Sequence, residues 1–250
     1  MRGRDFPTDP DDARLQGWYH TIDLGNGLVP RAVYDLRPVI DRYGIPDSLE
    51  GMSDLDVGTG DGFFAFEMER RGADRVVAVD LARLGDCDWL PQRRSEIGFA
   101  ADNQDWPKHF RLAHAMRGSS VEYRHANIYD LSPYNVGTFD LVFCGSLLLH
   151  LQNPLKALLA IRSVTRSMAV IETSLDAKLE AQPELVERAV LGFGPPDIES
   201  RHGENNVFWQ FTSGALRKML EFADFDQVKI AGVFKLPPTE ALAASAVAYT

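Results

Sequence analysis

LDVGTGDG at residues 55–62, followed by VVAVD at residues 76–80, is the part of this chain that decides its fold. Each stretch contains an apolar run typical of a parallel strand that is buried on both faces. The glycines after the first run leave room for the backbone to approach a ligand, and Asp80 places a carboxylate where ribose hydroxyls bind in such β-α-β units. The two stretches therefore predict a site for a ribose-bearing cofactor.

The spacing of the glycines separates two kinds of such cofactor. Dinucleotide-binding proteins carry G-x-G-x-x-G, in which the third glycine lets the helix pack close to the strand. Phe63 occupies that position here. The pattern Asp-x-Gly-x-Gly-x-Gly instead resembles the first motif of class I S-adenosylmethionine (SAM) dependent methyltransferases, whose second strand ends on an acidic residue. The alternative is a tight turn whose glycines serve packing alone.

Composition narrows the class of protein and of partner. The 250 residues suit one domain, 1–250, and the balance of 26 basic against 36 acidic residues gives a net charge of −10. That charge disfavours non-specific binding to a polyanion. Only Cys87 and Cys144 are present, without metal-ligand spacing, so we expect no metal site and no disulfide framework. No export signal or spanning segment is visible, so we expect a cytoplasmic protein without membrane contact.

The order of apolar runs predicts a Rossmann-like α/β fold with helices on both faces of the sheet. Class I methyltransferases, which the glycine motif resembles, have seven strands, mostly parallel with the last antiparallel. We expect an N-terminal helical or lid segment over residues 1–50, including a helix at 31–43, and long excursions at 81–120 and 175–210 that carry substrate walls. Strands are predicted at 54–57, 75–80, 121–126, 139–144, 168–172, 227–233 and 243–249. Helices are predicted at 62–71, from 154, and at 212–223, and the first excursion is expected to contain an amphipathic helix around Phe110, Leu112, Ala113 and Met116.

Further motifs strengthen the resemblance and narrow it. FDLV at 139–142 and LLLHLQNP at 147–154 look like the segment after the fourth strand of methyltransferases. WYHTIDLG at 18–25, NIYDL at 127–131 and GTFD at 137–140 resemble the branch around the tRNA wobble-uridine 5-oxyacetic acid (5-methoxyuridine) methyltransferases. That branch includes enzymes of RNA and of small molecules, so it does not select an acceptor. Its RNA enzyme uses a carboxylated SAM, for which this chain shows no clear basic signature, and ordinary SAM is expected.

The resemblance implies a role for each residue around the cofactor. Asp80 would accept both ribose hydroxyls, and Asn127, where an acidic residue is common, would bind the adenine edge through its amide. Cys144 either faces the crevice at the end of its strand or is an inert core residue. The remaining expected cofactor residues are Gly58 and Gly60 for the methionine part and ribose, Asp56 for the turn or the amino group, and Leu81 and Ile128 on the two faces of adenine.

Histidines are the candidates for a general base, because imidazole titrates near neutrality. His150 follows the fourth strand of the motif order, and the alternative is a packing or turn-stabilising role. His20 lies in an aromatic segment that either closes over the cofactor or docks on the core for stability. The expected acceptor-binding residues are Trp18 and Tyr19 in that segment and Asn205, Asn206 and Trp209 in the second excursion, of which the last three could instead form a turn and a core anchor.

Several functions remain open on the sequence alone. The leading hypothesis is methyl transfer to an oxygen or nitrogen of a small-molecule acceptor. A second is methylation or carboxymethylation of the tRNA wobble uridine, and a third is a non-catalytic subunit that binds SAM. An NAD-dependent oxidoreductase is the weakest alternative because Phe63 replaces the third glycine.

Overall fold

A five-stranded parallel sheet forms the centre of the protein in a computed structural model that describes residues 6–9, 12–91, 94–95, 105–194 and 207–236. Two N-terminal strands, β1 (Trp18–His20) and β2 (Ala32–Tyr34), lie outside it. The order across the sheet is β5-β4-β3-β6-β7, so strands are added toward one edge from β3 to β5 and toward the other edge from β6 to β7, and the strand order reverses between β3 and β6. Ligands bind at such a switch point, beyond the carboxyl ends of the strands. The sheet strands are β3 (Ser53–Val57), β4 (Arg75–Asp80), β5 (Glu122–His125), β6 (Phe139–Gly145) and β7 (Thr165–Glu172).

Helices cover both faces of this sheet, as predicted. Each face buries its own apolar cluster, because alternate residues of a strand point to opposite sides. On one face, α1 (Phe63–Arg70) and α2 (Lys108–Arg117) pack with the N-terminal segment. On the other, α3 (Pro154–Val164) contacts the sheet; Asn153 caps it by accepting a hydrogen bond from the Lys156 N–H (3.0 Å). These elements confirm the predicted strands and helices between residues 53 and 172.

The prediction of a helix over residues 31–43 is wrong. Ala32–Tyr34 forms β2, which pairs in parallel with β1, and only Ile40–Tyr43 is helical, as a short 3-10 turn. Pro38 explains the difference, since its ring prevents an α-helix from passing through it and disfavours helical backbone in the preceding residue. The described part of the N-terminal segment is therefore a two-stranded ribbon followed by a turn, and it packs against α1.

The two long excursions carry short elements of their own. In the first, α2 is the amphipathic helix expected around Phe110 and Ala113, which are its buried residues. In the second, α4 (Ala177–Glu180) and α5 (Pro183–Glu187) precede β8 (Gly192–Phe193), which pairs antiparallel with β9 (Trp209–Gln210). Residues 195–206 lie outside the described part of the chain.

The end of the chain differs from the predicted seven-stranded sheet. The helix α6 (Ser213–Phe222) begins at Thr212, whose hydroxyl accepts a hydrogen bond from the Ala215 N–H (3.1 Å), as predicted. The strand predicted at 227–233 does not form. Its Val228 carbonyl accepts a hydrogen bond from the Arg217 guanidinium (2.6 Å) rather than from a neighbouring strand. The final strand predicted at 243–249 lies outside the described residues, and within those residues no helix is long and apolar enough to cross a membrane.

Candidate active site

The glycine turn between β3 and α1 is tied to the neighbouring strand. The backbone N–H groups of Gly58 and Thr59 donate to the carbonyl of Val79 (2.9 and 3.2 Å). Beneath the turn, Asp56 is 2% exposed and accepts hydrogen bonds from the Thr59 hydroxyl (2.7 Å) and the Ala65 N–H (3.1 Å). Burial raises the pKa of Asp56 to about 7, with the Thr59 bond opposing it. Of its two expected roles, these contacts supply the first, which is to hold the turn.

Asp80 lies at the end of β4 with its carboxylate against the same turn. Its two oxygens accept hydrogen bonds from the Gly60 N–H (2.8 Å) and the Leu81 N–H (2.7 Å). Burial raises the pKa of Asp80, and the two backbone bonds oppose that rise. A Cβ added to Gly60 would meet nothing within 4 Å, so open space lies beside the turn. A ribose and its hydroxyls fit this arrangement of an open glycine next to a buried carboxylate.

The residues expected around adenine follow β4 and β5, which lie side by side in the sheet. Leu81 is half-buried and Ile128 is buried, while Asn127 accepts a hydrogen bond from the Tyr129 N–H (3.0 Å) and so caps a 3-10 turn. The Asn127 oxygen is therefore engaged, and its NH₂ group is the part that can reach a ligand.

Two polar groups that the sequence did not indicate lie near Asp80. The Trp106 indole N–H and the Tyr123 hydroxyl are buried, and neither makes a hydrogen bond of normal geometry to the part of the chain that the structure describes. Trp106 nevertheless lies close enough to Asp80 to help lower the pKa of that carboxyl, against the larger effect of burial. Asp80 in turn adds to burial in raising the pKa of Tyr123. Buried donors usually find partners, so both groups have capacity left for a ligand.

A buried aspartate joins the N-terminal ribbon to the glycine turn. Asp61, 4% exposed, accepts hydrogen bonds from the backbone N–H groups of Tyr19 (3.1 Å) and His20 (2.7 Å). Its other oxygen is 2.6 Å from Nδ1 of His20. The His20 ring lies next to Phe63 and Phe64 at the start of α1 (centroids at 5.5 and 6.0 Å). The structure thus places His20, a predicted candidate for the general base, beside the glycine turn. The residue that holds it there is Asp61, which lies within the glycine motif but was assigned no role from the sequence.

Two predicted ligand residues are core residues instead. Trp18 is 1% exposed, stacks on His109 (centroids 4.6 Å apart) and donates its indole N–H to the carbonyl of Arg14 (3.2 Å). It anchors the ribbon, and its role in binding the acceptor stays a prediction. Cys144 is fully buried in the apolar cluster under α3, where burial raises the pKa of its thiol. In the sheet Cys144 pairs with Val57, the residue after Asp56. Because successive strand residues face opposite sides, the Cys144 side chain points to the face opposite to that of Asp56, which matches the core alternative.

The other predicted residues have mixed placements. Tyr19 is 47% exposed and its ring contacts Tyr34 edge-on (5.0 Å). His150 lies half-buried in the 3-10 turn after β6, and its catalytic role stays a prediction. Trp209 donates its indole N–H to the carbonyl of Leu151 (2.8 Å), which holds the β8–β9 hairpin against the loop after β6. Asn205 and Asn206 lie outside the described residues.

Glu172, the last residue of β7, was not predicted to belong to the site. It is 4% exposed, and burial raises the pKa of its carboxyl to about 7. Glu172 pairs in the sheet with Gly145, the last residue of β6. The available signal was an apolar strand that ends on a carboxylate, the same signal that identified Asp80.

A doubly wound α/β sheet, with a glycine turn, an acidic second strand and polar groups gathered at the switch point, defines a cofactor-dependent enzyme of the nucleotide-binding class. Within this class, a family model described as a methyltransferase domain matches residues 31–230. The chain belongs to that family. With the motif at residues 56–62 and Asp80, it is a class I SAM-dependent methyltransferase.

Relatives and solved structures agree with this assignment. The chain is 27% identical over 73% of its length to a tRNA U34 carboxymethyltransferase of Psychrobacter sp. (strain PRwf-1), and covers 48% of that protein. It is 29% identical over 54% of its length to a ubiquinone biosynthesis O-methyltransferase of Xanthomonas campestris pv. campestris, covering 48% of it. The chain therefore spans about half the length of the curated relatives it matches. The N-terminal domain of EvdMO1, crystallised with SAH and D-fucose, shares the fold (TM-score 0.60, 16% identity, 94% of this chain and 89% of that one).

Proposed function

We propose that this enzyme transfers the methyl group of SAM to an oxygen or nitrogen of a small-molecule acceptor, with His20 as the general base. The observation that carries the proposal is the 2.6 Å contact between Nδ1 of His20 and Asp61, which fixes the imidazole beside the glycine turn. His20 exposes 13% of its side chain, so the ring is shielded from bulk water without being sealed in.

The residues that would hold the cofactor surround the open side of Gly60. Asp80 would bind the ribose hydroxyls, and the unpartnered N–H of Trp106 and hydroxyl of Tyr123 offer further hydrogen bonds on that side. Leu81 and Ile128 would pack on adenine. When bound, SAM supplies a methyl group that is already activated by its sulfonium charge, so the protein needs mainly to align the reactants and exclude water.

His20 supplies the base that an oxygen or nitrogen acceptor requires. Asp61 accepts a hydrogen bond from Nδ1, which leaves Nε2 as the nitrogen with a free lone pair; Nε2 has no hydrogen-bond partner among the described residues. As the acceptor atom forms its bond to the methyl carbon, the bond between that carbon and the sulfonium sulfur would break, with its electron pair going to sulfur. The acceptor's O–H or N–H bond breaks as well, and its proton passes to Nε2 of His20. The Asp61 carboxylate then stabilises the imidazolium, as the acidic member does in a catalytic triad.

Electrostatics favour a small acceptor over a nucleic acid. The net charge of −10 opposes the phosphate contacts that supply most of the affinity for RNA. The specific observation in favour of tRNA is that relatives matched over 73% and 74% of this chain are tRNA U34 carboxymethyltransferases. The tRNA wobble position is therefore the second candidate acceptor, and a non-catalytic SAM-binding subunit is the third reading. A cytoplasmic location is part of the proposal.

The acceptor side would be completed by the second excursion. Trp209 fixes the β8–β9 hairpin above the loop that carries His150. The segment between the two strands contains Asn205 and Asn206, and we propose that it supplies polar contacts to the acceptor. His150 is the second candidate base.

The test is labelling with methyl-radiolabelled SAM, offered separately to a small-molecule extract and to bulk tRNA. We expect label in the small-molecule fraction. With the acceptor identified, His20→Gln should slow single-turnover transfer by about 10² to 10⁴ fold and leave SAM affinity within about threefold, since a general base contributes that much to rate. His114→Gln is the matched control, because the His114 ring is hydrogen-bonded to the Val121 carbonyl (3.1 Å) at the opposite edge of the sheet. Salt-sensitive labelling of tRNA, or normal turnover by His20→Gln, would contradict the proposal.

A further inference from the structure

Glu172 has one engaged and one unengaged carboxylate oxygen. Oε1 accepts a hydrogen bond from the Ser146 hydroxyl (3.0 Å), and the Glu172 carbonyl accepts one from the Ser146 N–H (3.0 Å). Oε2 makes no hydrogen bond to the part of the chain that the structure describes. A Cβ on Gly145 would stand 3.2 Å from Oε2, so the glycine at the end of β6 lets the carboxylate lie over the sheet edge.

The serine that holds Glu172 adopts an uncommon backbone conformation. Ser146 has φ of 45°, in the left-handed region that residues other than glycine seldom occupy. Such a conformation costs about 1 to 3 kcal/mol and persists where the surrounding structure over-determines it, often at functional sites. The two hydrogen bonds to Glu172 are the contacts that hold Ser146 there.

Two tyrosines of the N-terminal segment are close enough to the Glu172 carboxylate for its charge to affect them. Tyr43 is 4% exposed, its ring lies beside the stacked rings of Phe64 and Phe143 (centroids at 5.1 and 6.3 Å), and its hydroxyl makes no hydrogen bond within the described residues. The negative charge of Glu172 adds to burial in raising the pKa of Tyr43, and it also acts on Tyr19. The carboxylate therefore lies on the same face of the sheet as the aromatic cluster that contains Tyr43.

No arginine or lysine in the described part of the chain forms an ion pair with Glu172. His20 is the basic side chain that lowers the pKa of this carboxyl, against the larger effect of burial. A buried carboxylate without a paired cation is costly, and groups whose pKa is perturbed in this way cluster at functional sites. Glu172 lies at the carboxyl edge of the sheet next to β6, on the same face as Asp56 and His20, where the acceptor must approach the methyl donor.

We propose that Glu172, supported by Ser146 and flanked by Tyr43, is the residue that recognises the acceptor, by accepting a hydrogen bond from a neutral or positively charged donor group at the reaction centre. The donor is an amino group or a hydroxyl. The same carboxylate excludes acceptors that carry a carboxylate or phosphate there, because two buried like charges repel each other. The inference rests on the proposed function and adds the chemistry of its acceptor.

Binding of sinefungin tests this without an acceptor. Sinefungin is a SAM analogue with an amine-bearing carbon in place of the methylated sulfur, so its amine lies where an acceptor's donor group would approach; S-adenosylhomocysteine (SAH) lacks that amine. Calorimetric titrations at pH 8 keep Glu172 ionised, above its pKa of about 7. We expect wild-type protein to bind sinefungin about tenfold more tightly than SAH, as a desolvated charge pair can provide.

Glu172→Gln should remove most of that preference while leaving SAH affinity within about threefold, since the variant keeps the size of the side chain and loses its charge. Glu69→Gln is the matched control, because Glu69 also accepts hydrogen bonds from a serine at the opposite edge of the sheet. The donors are the backbone N–H (2.6 Å) and the hydroxyl (2.7 Å) of Ser120. An unchanged preference in Glu172→Gln overturns the inference. So does a wild-type protein that binds SAH as tightly as sinefungin, whether or not the variant folds.

The binding ratio and the transfer experiment fail independently. If the wild-type protein shows no preference for sinefungin, or if Glu172→Gln keeps that preference, while a small molecule is methylated normally, Glu172 has no part in acceptor recognition and the proposed function stands. A preference for sinefungin in the wild type that Glu172→Gln removes, with label found only in tRNA, contradicts the small-molecule acceptor but not the hydrogen-bonding role of Glu172.

Discussion

Removal of the Asp61 carboxylate should detach the N-terminal ribbon from the glycine turn. Asp61→Ala eliminates the acceptor of two backbone N–H groups, those of Tyr19 and His20, and the partner of the His20 ring. A buried donor left without a partner costs about 1 to 3 kcal/mol. Two such donors give an expected loss of about 2 to 6 kcal/mol in the free energy of unfolding.

Urea unfolding at pH 7 measures this loss, with Asp176→Ala as the matched control. Asp176 also accepts two backbone N–H bonds, from Lys178 and Leu179 (2.8 Å each), but it caps the short, partly exposed helix α4. We expect the control to lose about 1 kcal/mol, the usual value of an N-cap. If Asp61→Ala costs no more than Asp176→Ala, then Asp61 does not hold the ribbon and the orientation of His20 needs another explanation.

Two further predictions concern the turn and the sheet. Gly62→Ala should lower the free energy of unfolding by about 3 kcal/mol or more in urea titrations, because φ is 94° and the added Cβ would lie 2.5 Å from Phe66 and 2.7 Å from Phe110. Gly60→Ala is the control: because open space surrounds Gly60, this substitution should cost about 1 kcal/mol. Equal losses in the two variants would contradict the prediction. Asp54 is fully buried with both carboxylate oxygens unpartnered among the described residues, and burial raises its pKa to about 7. The folded state favours the protonated form of Asp54, so the stability that this form contributes is present below about pH 4 and is lost as pH rises through 7. The free energy of unfolding of Asp54→Asn should therefore rise by roughly 2 to 4 kcal/mol relative to that of the wild type between pH 5 and pH 8 in urea titrations. Parallel pH profiles of stability for the two proteins would refute this.

The sequence predicted those features that depend on local pattern. The β3-turn-β4 unit, the position of Asp80 and the helix around Phe110 follow from apolar periodicity and glycine spacing, which neighbours in sequence determine. The helix expected at 31–43 failed because its apolar spacing is also compatible with β2. A single proline and a strand partner fourteen residues earlier decided the outcome.

The site was predictable only in part because its polar pairs are distant in sequence. His20 and Asp61 are 41 residues apart, and Ser146 and Glu172 are 26 apart, so neither hydrogen bond has a local signature. Cys144 illustrates the opposite limit. It stands at the correct end of the correct strand, but the alternation of side chains turns it into the core. The position of a residue along a strand predicts whether it lies near a ligand. The face of the sheet to which its side chain points is known only from the packed structure.

We propose that the glycine turn and Asp80 together hold SAM. Calorimetric titration of wild type and Asp80→Ala with SAM, with NAD as the control ligand, tests this placement of the cofactor. We expect micromolar binding of SAM to the wild type, none of NAD, and a loss of at least about 100-fold in the variant, because both ribose hydroxyls lose a charged acceptor and the Gly60 N–H loses its partner. Unchanged SAM affinity in Asp80→Ala, or binding of NAD in place of SAM, would contradict the account.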